Sequence, residues 1–151
     1  MSMNAATTND LPGSVLFMCA QNAVRSPMAA AIAIAAFPNS IFFSSAGVRD
    51  GLFNPFAVEV MAEKNIDISD HEPRAYDDLD DTYFDLIITL SPVAHAVALD
   101  IKKSQSVDVE NWSIADATKI QGRRSIILDA YRQVRDDLTT RIVARFDRNG
   151  L

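Results

Sequence analysis

Ser14-Val15-Leu16-Phe17-Met18-Cys19-Ala20-Gln21-Asn22-Ala23-Val24-Arg25-Ser26-Pro27 is the stretch on which the fold turns. Its opening residues, Ser14 to Met18, are almost wholly apolar, as a short strand buried on both faces requires. Its closing pair, Ser26-Pro27, reads as a helix start, with Ser as N-cap and Pro at the first helical position. Strand, short loop and helix in that order form the repeating unit of a parallel α/β sheet.

The same unit recurs outward from this stretch. Residues 28–37 are rich in Ala and Ile, and Pro38 ends them, so a well-buried helix is expected there. Residues 41–46 predict a second buried strand, closed by Gly47. Asn54-Pro55 repeats the cap-and-proline signal and opens a helix to about Lys64. Residues 67–81 are acidic and irregular, with one helical turn over 76–79. Residues 84–90 predict the third buried strand, and Ser91-Pro92 the next helix, to about Ile101. Residues 107–112 alternate like a half-buried fourth strand. Residues 125–148 form the clearest amphipathic helix, with Ile127, Tyr131, Val134, Leu138, Ile142 and Phe146 at helical spacing. Alternation of this kind implies parallel strands joined by right-handed crossovers, with helices on both faces. Residues 1–13 read as a flexible tail and 14–151 as one domain.

Composition narrows the function. The chain has 151 residues, enough for one domain with a real core, and its net charge of −6 argues against nucleic acid or an anionic membrane as partner. A single cysteine rules out an intramolecular disulfide and a cysteine-based metal site. No apolar run reaches membrane-spanning length, and the first ten residues carry no signal-peptide pattern, so a soluble cytoplasmic protein is expected.

In open parallel sheets a ligand sits beyond the C-terminal strand ends, and the segment after Met18 is one such end. A tight loop there can turn successive backbone N–H groups inward as an anion nest, here from Ala20, Gln21, Asn22, Ala23, Val24 and Arg25. The helix that follows adds its unpaired N–H groups and the positive end of its dipole. Arg25 can hold two oxygens of a phosphate through its planar fork. The same surroundings favour the thiolate of Cys19, the nucleophilic form, and Ser26 can donate to that sulfur. A buried core cysteine is the plain alternative, and Cys-x5-Arg alone would carry little weight. Its position between a buried strand and a helix start is what favours the anion pocket.

These residues, from Val15 through Ala29, resemble the phosphate-binding loop of the low-molecular-weight protein tyrosine phosphatases. The likeness extends over nearly the whole chain after the tail: Ser44-Ser45-Ala46-Gly47 resembles the family's second strand end, and His71 and Arg74 its His-x-x-Arg pair. It implies a flavodoxin-like three-layer fold with a four-stranded parallel sheet in the order 2-1-3-4. It also implies hydrolysis of phosphate monoesters, phosphotyrosine in proteins foremost, through a cysteinyl-phosphate intermediate and without a metal or organic cofactor. Under that resemblance Cys19 is the nucleophile, Arg25 the phosphate clamp and Asp116 the proton donor, with Asn22, Ser26, Ser45 and His71 as a supporting network. The implied partners are a phosphorylated protein or small aryl phosphate, with inorganic phosphate, sulfate or vanadate able to occupy the loop.

The chain departs from that family in places. Ala117 stands where the family usually has Pro after the acid, and Ala23 and Val24 stand where several relatives carry a second loop cysteine. Gln21 replaces a common Gly, and Ala20 and Ala23 replace bulkier residues, so a wider or flatter pocket mouth is expected. Phe53 is the nearest aromatic candidate for the opposite wall, and His95 matches no motif. Two rivals stay open: arsenate reduction with an external thiol, and a phosphate-ester binding module with little turnover.

Overall fold

A computed structural model describes residues 11–147, and the greater part of the expected tail lies outside them. Four strands, β1 (Ser14–Cys19), β2 (Phe42–Gly47), β3 (Leu86–Thr89) and β4 (Asp108–Asn111), form one parallel sheet in the order β2-β1-β3-β4. Register runs from Ser14↔Phe42 to Cys19↔Gly47 on one side of β1 and from Val15↔Leu86 to Met18↔Thr89 on the other. β3 in turn pairs with β4 from Leu86↔Asp108 to Thr89↔Asn111. The four C-terminal ends therefore share one edge of the sheet.

Four helices cover the faces: α1 (Arg25–Ala36), α2 (Pro55–Ala62), α3 (Pro92–Lys102) and α4 (Arg124–Phe146). Strand side chains alternate between two cores, as the pleat demands. Val15, Phe17 and Cys19 point into the core built with α1, α2 and α4. Leu16 and Met18 point into the smaller core under α3, with Ala46, Ile87, Ala94 and Ala98. Both faces of β1 are thus dry, and Val15 to Met18 have no exposed surface. That is why the strand carries no polar alternation.

The cap-and-proline signals act as expected at two helices. Asn54 Oδ1 accepts from Ala57 N–H at 3.0 Å, and Ser91 Oγ from Ala94 N–H at 3.3 Å. At α1 the expectation fails. The helix begins at Arg25, Val24 takes the N-cap position without a side-chain bond, and Ser26 lies inside the first turn. Its hydroxyl lies 2.9 Å from the sulfur of Cys19, and with no side-chain cap at Val24 the helix start is left open toward the loop. The irregular acidic stretch contains one 3-10 turn, Tyr76–Asp78, and a single parallel bridge joins Ala75 to Gly47.

α4 buries Tyr131, Val134, Leu138, Ile142 and Phe146 as their spacing predicts, but Leu128 takes the place expected of Ile127, which is half-buried. Its buried face also holds a charge. Arg135 donates to the Val60 carbonyl, to Glu63 Oε1 and to Asp136 Oδ1, all at 2.8 Å. This caps the C-terminal end of α2 and ties that helix to α4. Glu63 is further gripped by Arg132, and those two guanidinium groups outweigh desolvation and hold its carboxyl down at about 2.

Candidate active site

The loop after β1 closes on itself through its carbonyls. Cys19 O accepts from Val48 N–H at 3.0 Å and Ala20 O from Arg49 N–H at 3.1 Å. Asn22 O is 2.8 Å from His71 Nε2, a contact in which the imidazole must donate. Among the described residues the amides of Ala20 to Val24 have no protein acceptor. The loop is therefore a row of unclaimed donors at the open N-terminus of α1, the arrangement that favours an anion.

Asn22 is what makes the loop bend. It is wholly buried and sits at φ 55°, the left-handed region that Asn tolerates better than most residues. Its amide orientation follows from one donor: Arg74 N–H can only donate, and it points at Asn22 Oδ1 from 3.0 Å. Nδ2 must then face Ser26 Oγ and Ser45 Oγ, each 2.9 Å away. Ser26 Oγ, filled on one lone pair from Asn22, stands 2.9 Å from Cys19 Sγ and 3.4 Å from Ala46 O, and toward a thiolate, which can only accept, the hydroxyl proton turns to the sulfur. A directed chain thus runs from Arg74 N–H through Asn22 and Ser26 to the sulfur. As a thiolate the sulfur is the acceptor in it, at the end of a strand and with its residue 3 % exposed.

Gly47 lets the loop approach β2. A Cβ there would lie 2.7 Å from Asn22 N and 2.3 Å from Arg49 O, so only glycine fits. Arg74, flagged in the sequence only as half of a pair, also donates to Ser45 O at 3.1 Å and to Ser44 Oγ at 2.8 Å. Nothing in the local sequence of Ser44 or Arg74 points to these bonds, since the partners lie some thirty residues apart. Gln21 does not simply open the mouth. Its side chain lies against Gly51, where a Cβ would come within 2.6 Å of it, so that flank is filled.

Arg25 and Asp116 complete the edge. Arg25 Nη1 donates to Leu90 O at 3.1 Å and Ile114 O at 3.2 Å, carbonyls just beyond β3 and β4. Its Nη2 faces Asp116 Oδ2 at 3.8 Å. The Ala117–Lys119 turn follows at once, and Asp116 Oδ1 accepts from Thr118 N–H at 3.1 Å and from the Thr118 hydroxyl at 2.5 Å. Partial burial acts to raise the Asp116 carboxyl. The Thr118 hydroxyl, the Arg25 guanidinium, the Thr118 amide and Lys119 together outweigh it and hold the group below the usual carboxylate range. Cys19, Arg25, Asp116 and the Asn22–Ser26–Ser45–His71 network are thereby brought to one end of the sheet. Phe53 is half exposed and joins neither core. His95 is bound elsewhere, to Thr89 Oγ1 through Nδ1 at 3.1 Å.

Fold and site together define a parallel-sheet protein with a Cys-x5-Arg loop at a strand end and the Asp116 carboxyl beside it. The family model described as Low molecular weight phosphotyrosine protein phosphatase matches residues 14–144, and the chain belongs to that family. An arsenate reductase of Bacillus licheniformis is 31% identical over 137 residues, covering 91% of this chain and 96% of its own. A solved arsenate reductase in its oxidized state is 25% identical with a TM-score of 0.72, over 89% of this chain and 96% of that one. The tyrosine phosphatase Wzb of Escherichia coli K30, solved with sulphate, shares the fold at a TM-score of 0.73 and 17% identity, over 93% of this chain and 100% of its own. Among the described residues no helix is long and apolar enough to cross a membrane.

Proposed function

We propose that this chain hydrolyses phosphate monoesters, with phosphotyrosine in proteins as the natural class, through a cysteinyl-phosphate on Cys19. The reading is carried by one observation: the cysteine sulfur, with a hydroxyl 2.9 Å away, shares a sheet end with a row of free amides, a guanidinium and a carboxyl. The thiolate attacks phosphorus in line, forming the S–P bond as the P–O bond to the leaving group breaks. Arg25 and the amides of residues 20–25 hold the equatorial oxygens. Asp116 gives its proton to the departing oxygen. The resulting carboxylate then takes a proton from the water whose oxygen bonds to phosphorus, and the thiolate is released. A bound dianion would replace Asp116 as the counter-charge of Arg25, which is what lets the carboxyl take up the proton it must deliver.

The sequence similarity to proteins named arsenate reductase supports a second reading. Arsenate reduction consumes two electrons. One thiol cannot supply both by closing an internal disulfide, and this chain has one cysteine. The second thiol would have to come from solution. Hydrolysis needs no such co-substrate and asks only for the groups in hand. A lone thiol is also best kept reduced in the cytoplasm, where we place the protein.

The test is hydrolysis of an aryl phosphate by the wild type, Cys19→Ser and Asp116→Ala. Cys19→Ser is expected to lose turnover while still binding vanadate or phosphate. Asp116→Ala is expected to slow by a factor on the order of a hundred or more. Full activity in Cys19→Ser would end the reading. Negligible wild-type turnover with tight phosphate binding would leave a binding module. Arsenate-dependent oxidation of a supplied small thiol, without aryl phosphate hydrolysis, would establish the reductase instead.

A further inference from the structure

The carboxyl proposed as proton donor is followed by Ala117, and the residue after that, Thr118, holds it. Thr118 donates to Asp116 Oδ1 twice, from its backbone at 3.1 Å and from its hydroxyl at 2.5 Å. Both lone pairs of Oδ1 are then occupied, and a proton placed there would meet two donors head-on. Oδ2 is the free oxygen, and it is the one turned toward the Arg25 guanidinium, at 3.8 Å. We propose that Thr118 is a positioning residue that locks the Asp116 carboxyl so that Oδ2 alone carries the proton and delivers it over the phosphate loop.

The rest of the surroundings does not supply this lock. Of the charged groups facing the carboxyl, Arg25 contacts only Oδ2, and Lys119 acts through space from the same turn. From α4, Asp137 borders the cleft of about 310 Å³ behind the acid loop, but its carboxylate is taken by Arg141 at 2.8 Å. Ala117 is buried and apolar. Without the hydroxyl only one N–H would hold Oδ1, and the carboxyl could swing toward that cleft.

The inference rests on the phosphatase reading for its catalytic part, so the test has one arm that does not use turnover. Thr118 is exposed, so Thr118→Val leaves packing undisturbed while removing the hydroxyl. Carbon-detected NMR titration of the Asp116 carboxyl, assigned with Asp116→Asn, is expected to move to higher pH in Thr118→Val and back toward the wild-type position in Thr118→Ser. In turnover, the limb on which kcat falls with rising pH should move the same way. Thr118→Val should lose about tenfold in kcat on phenyl phosphate, whose leaving group needs a proton, at unchanged KM. It should lose little on 2,4-dinitrophenyl phosphate, whose leaving group needs none. An Asp116 titration in Thr118→Val that overlays the wild type overturns the lock. So does an equal loss on both substrates that Thr118→Ser fails to restore. If wild type turns over neither substrate while the titration still moves, the lock stands and the phosphatase reading falls.

Discussion

Replacing Asn22 by Ala tests the chain of hydrogen bonds that ends on the sulfur. The substitution removes three bonds from a wholly buried amide, those from Arg74 N–H and those to Ser26 and Ser45. At about 1 kcal/mol each they contribute about 3 kcal/mol. The backbone adds to this, because Ala at φ 55° costs about 1 kcal/mol more than a residue suited to that region. Asn22→Ala should therefore destabilise by about 4 kcal/mol, and Asn22→Gly by about 3, the difference isolating the backbone share. Urea unfolding followed by circular dichroism reads both. A third variant separates stability from chemistry. Asn22→Asp keeps the acceptor for Arg74 N–H but turns an acceptor toward Ser26, whose hydroxyl must then swing from Cys19 to the new oxygen. Aryl phosphate hydrolysis should fall further in this variant than its stability loss explains. A cost below about 1 kcal/mol for both Asn22→Ala and Asn22→Gly, or wild-type turnover in Asn22→Asp, would refute the directed chain.

Two further expectations concern the frame around the site. Glu63 titrates at about 2 in the folded chain against 4.5 as the reference value, because Arg132 and Arg135 bind its charged form. Its folded value is depressed, so its contribution to stability is fully present above about 4.5 and is lost as pH falls through about 2. Glu63→Gln should accordingly lower the melting temperature at neutral pH and converge with the wild type near pH 2 in calorimetry. Gly47→Ala places a methyl 2.7 Å from Asn22 N, so the loop must move. Phosphate binding measured by titration calorimetry should weaken at least tenfold, by an effect on the loop rather than on any group that touches the anion, and unchanged affinity would show that the loop yields without cost.

Local signals were sufficient for most of the elements. Short apolar runs bounded by turn or cap signals read as strands buried on both faces, and Asn54-Pro55 and Ser91-Pro92 announced helix starts that the backbone then used. The order of elements implied a parallel sheet, and the observed order β2-β1-β3-β4 agrees with the fold expected from the family resemblance. Ser26-Pro27 carried the same signal as the other two pairs and misled about the cap, because the helix begins one residue earlier, at Arg25, and the hydroxyl of Ser26 is engaged by Asn22 and Cys19 across the loop. Arg135 was equally invisible: a charged residue beside an apolar stripe reads as solvated until another helix brings a carbonyl and a carboxylate to it.

By itself the sequence determined which segments are strands and helices, most of the apolar positions that are dry and which loop holds the sulfur and the guanidinium, since each follows from properties of contiguous residues. Only the tertiary structure decided who donates to whom. The direction of the Asn22 amide, the choice of Oδ2 on Asp116 and the necessity of Gly47 all depend on groups tens of residues distant in the chain or on angles within a turn. Hydrogen bonds are directional and short-ranged, so composition and spacing can nominate their participants but cannot orient them.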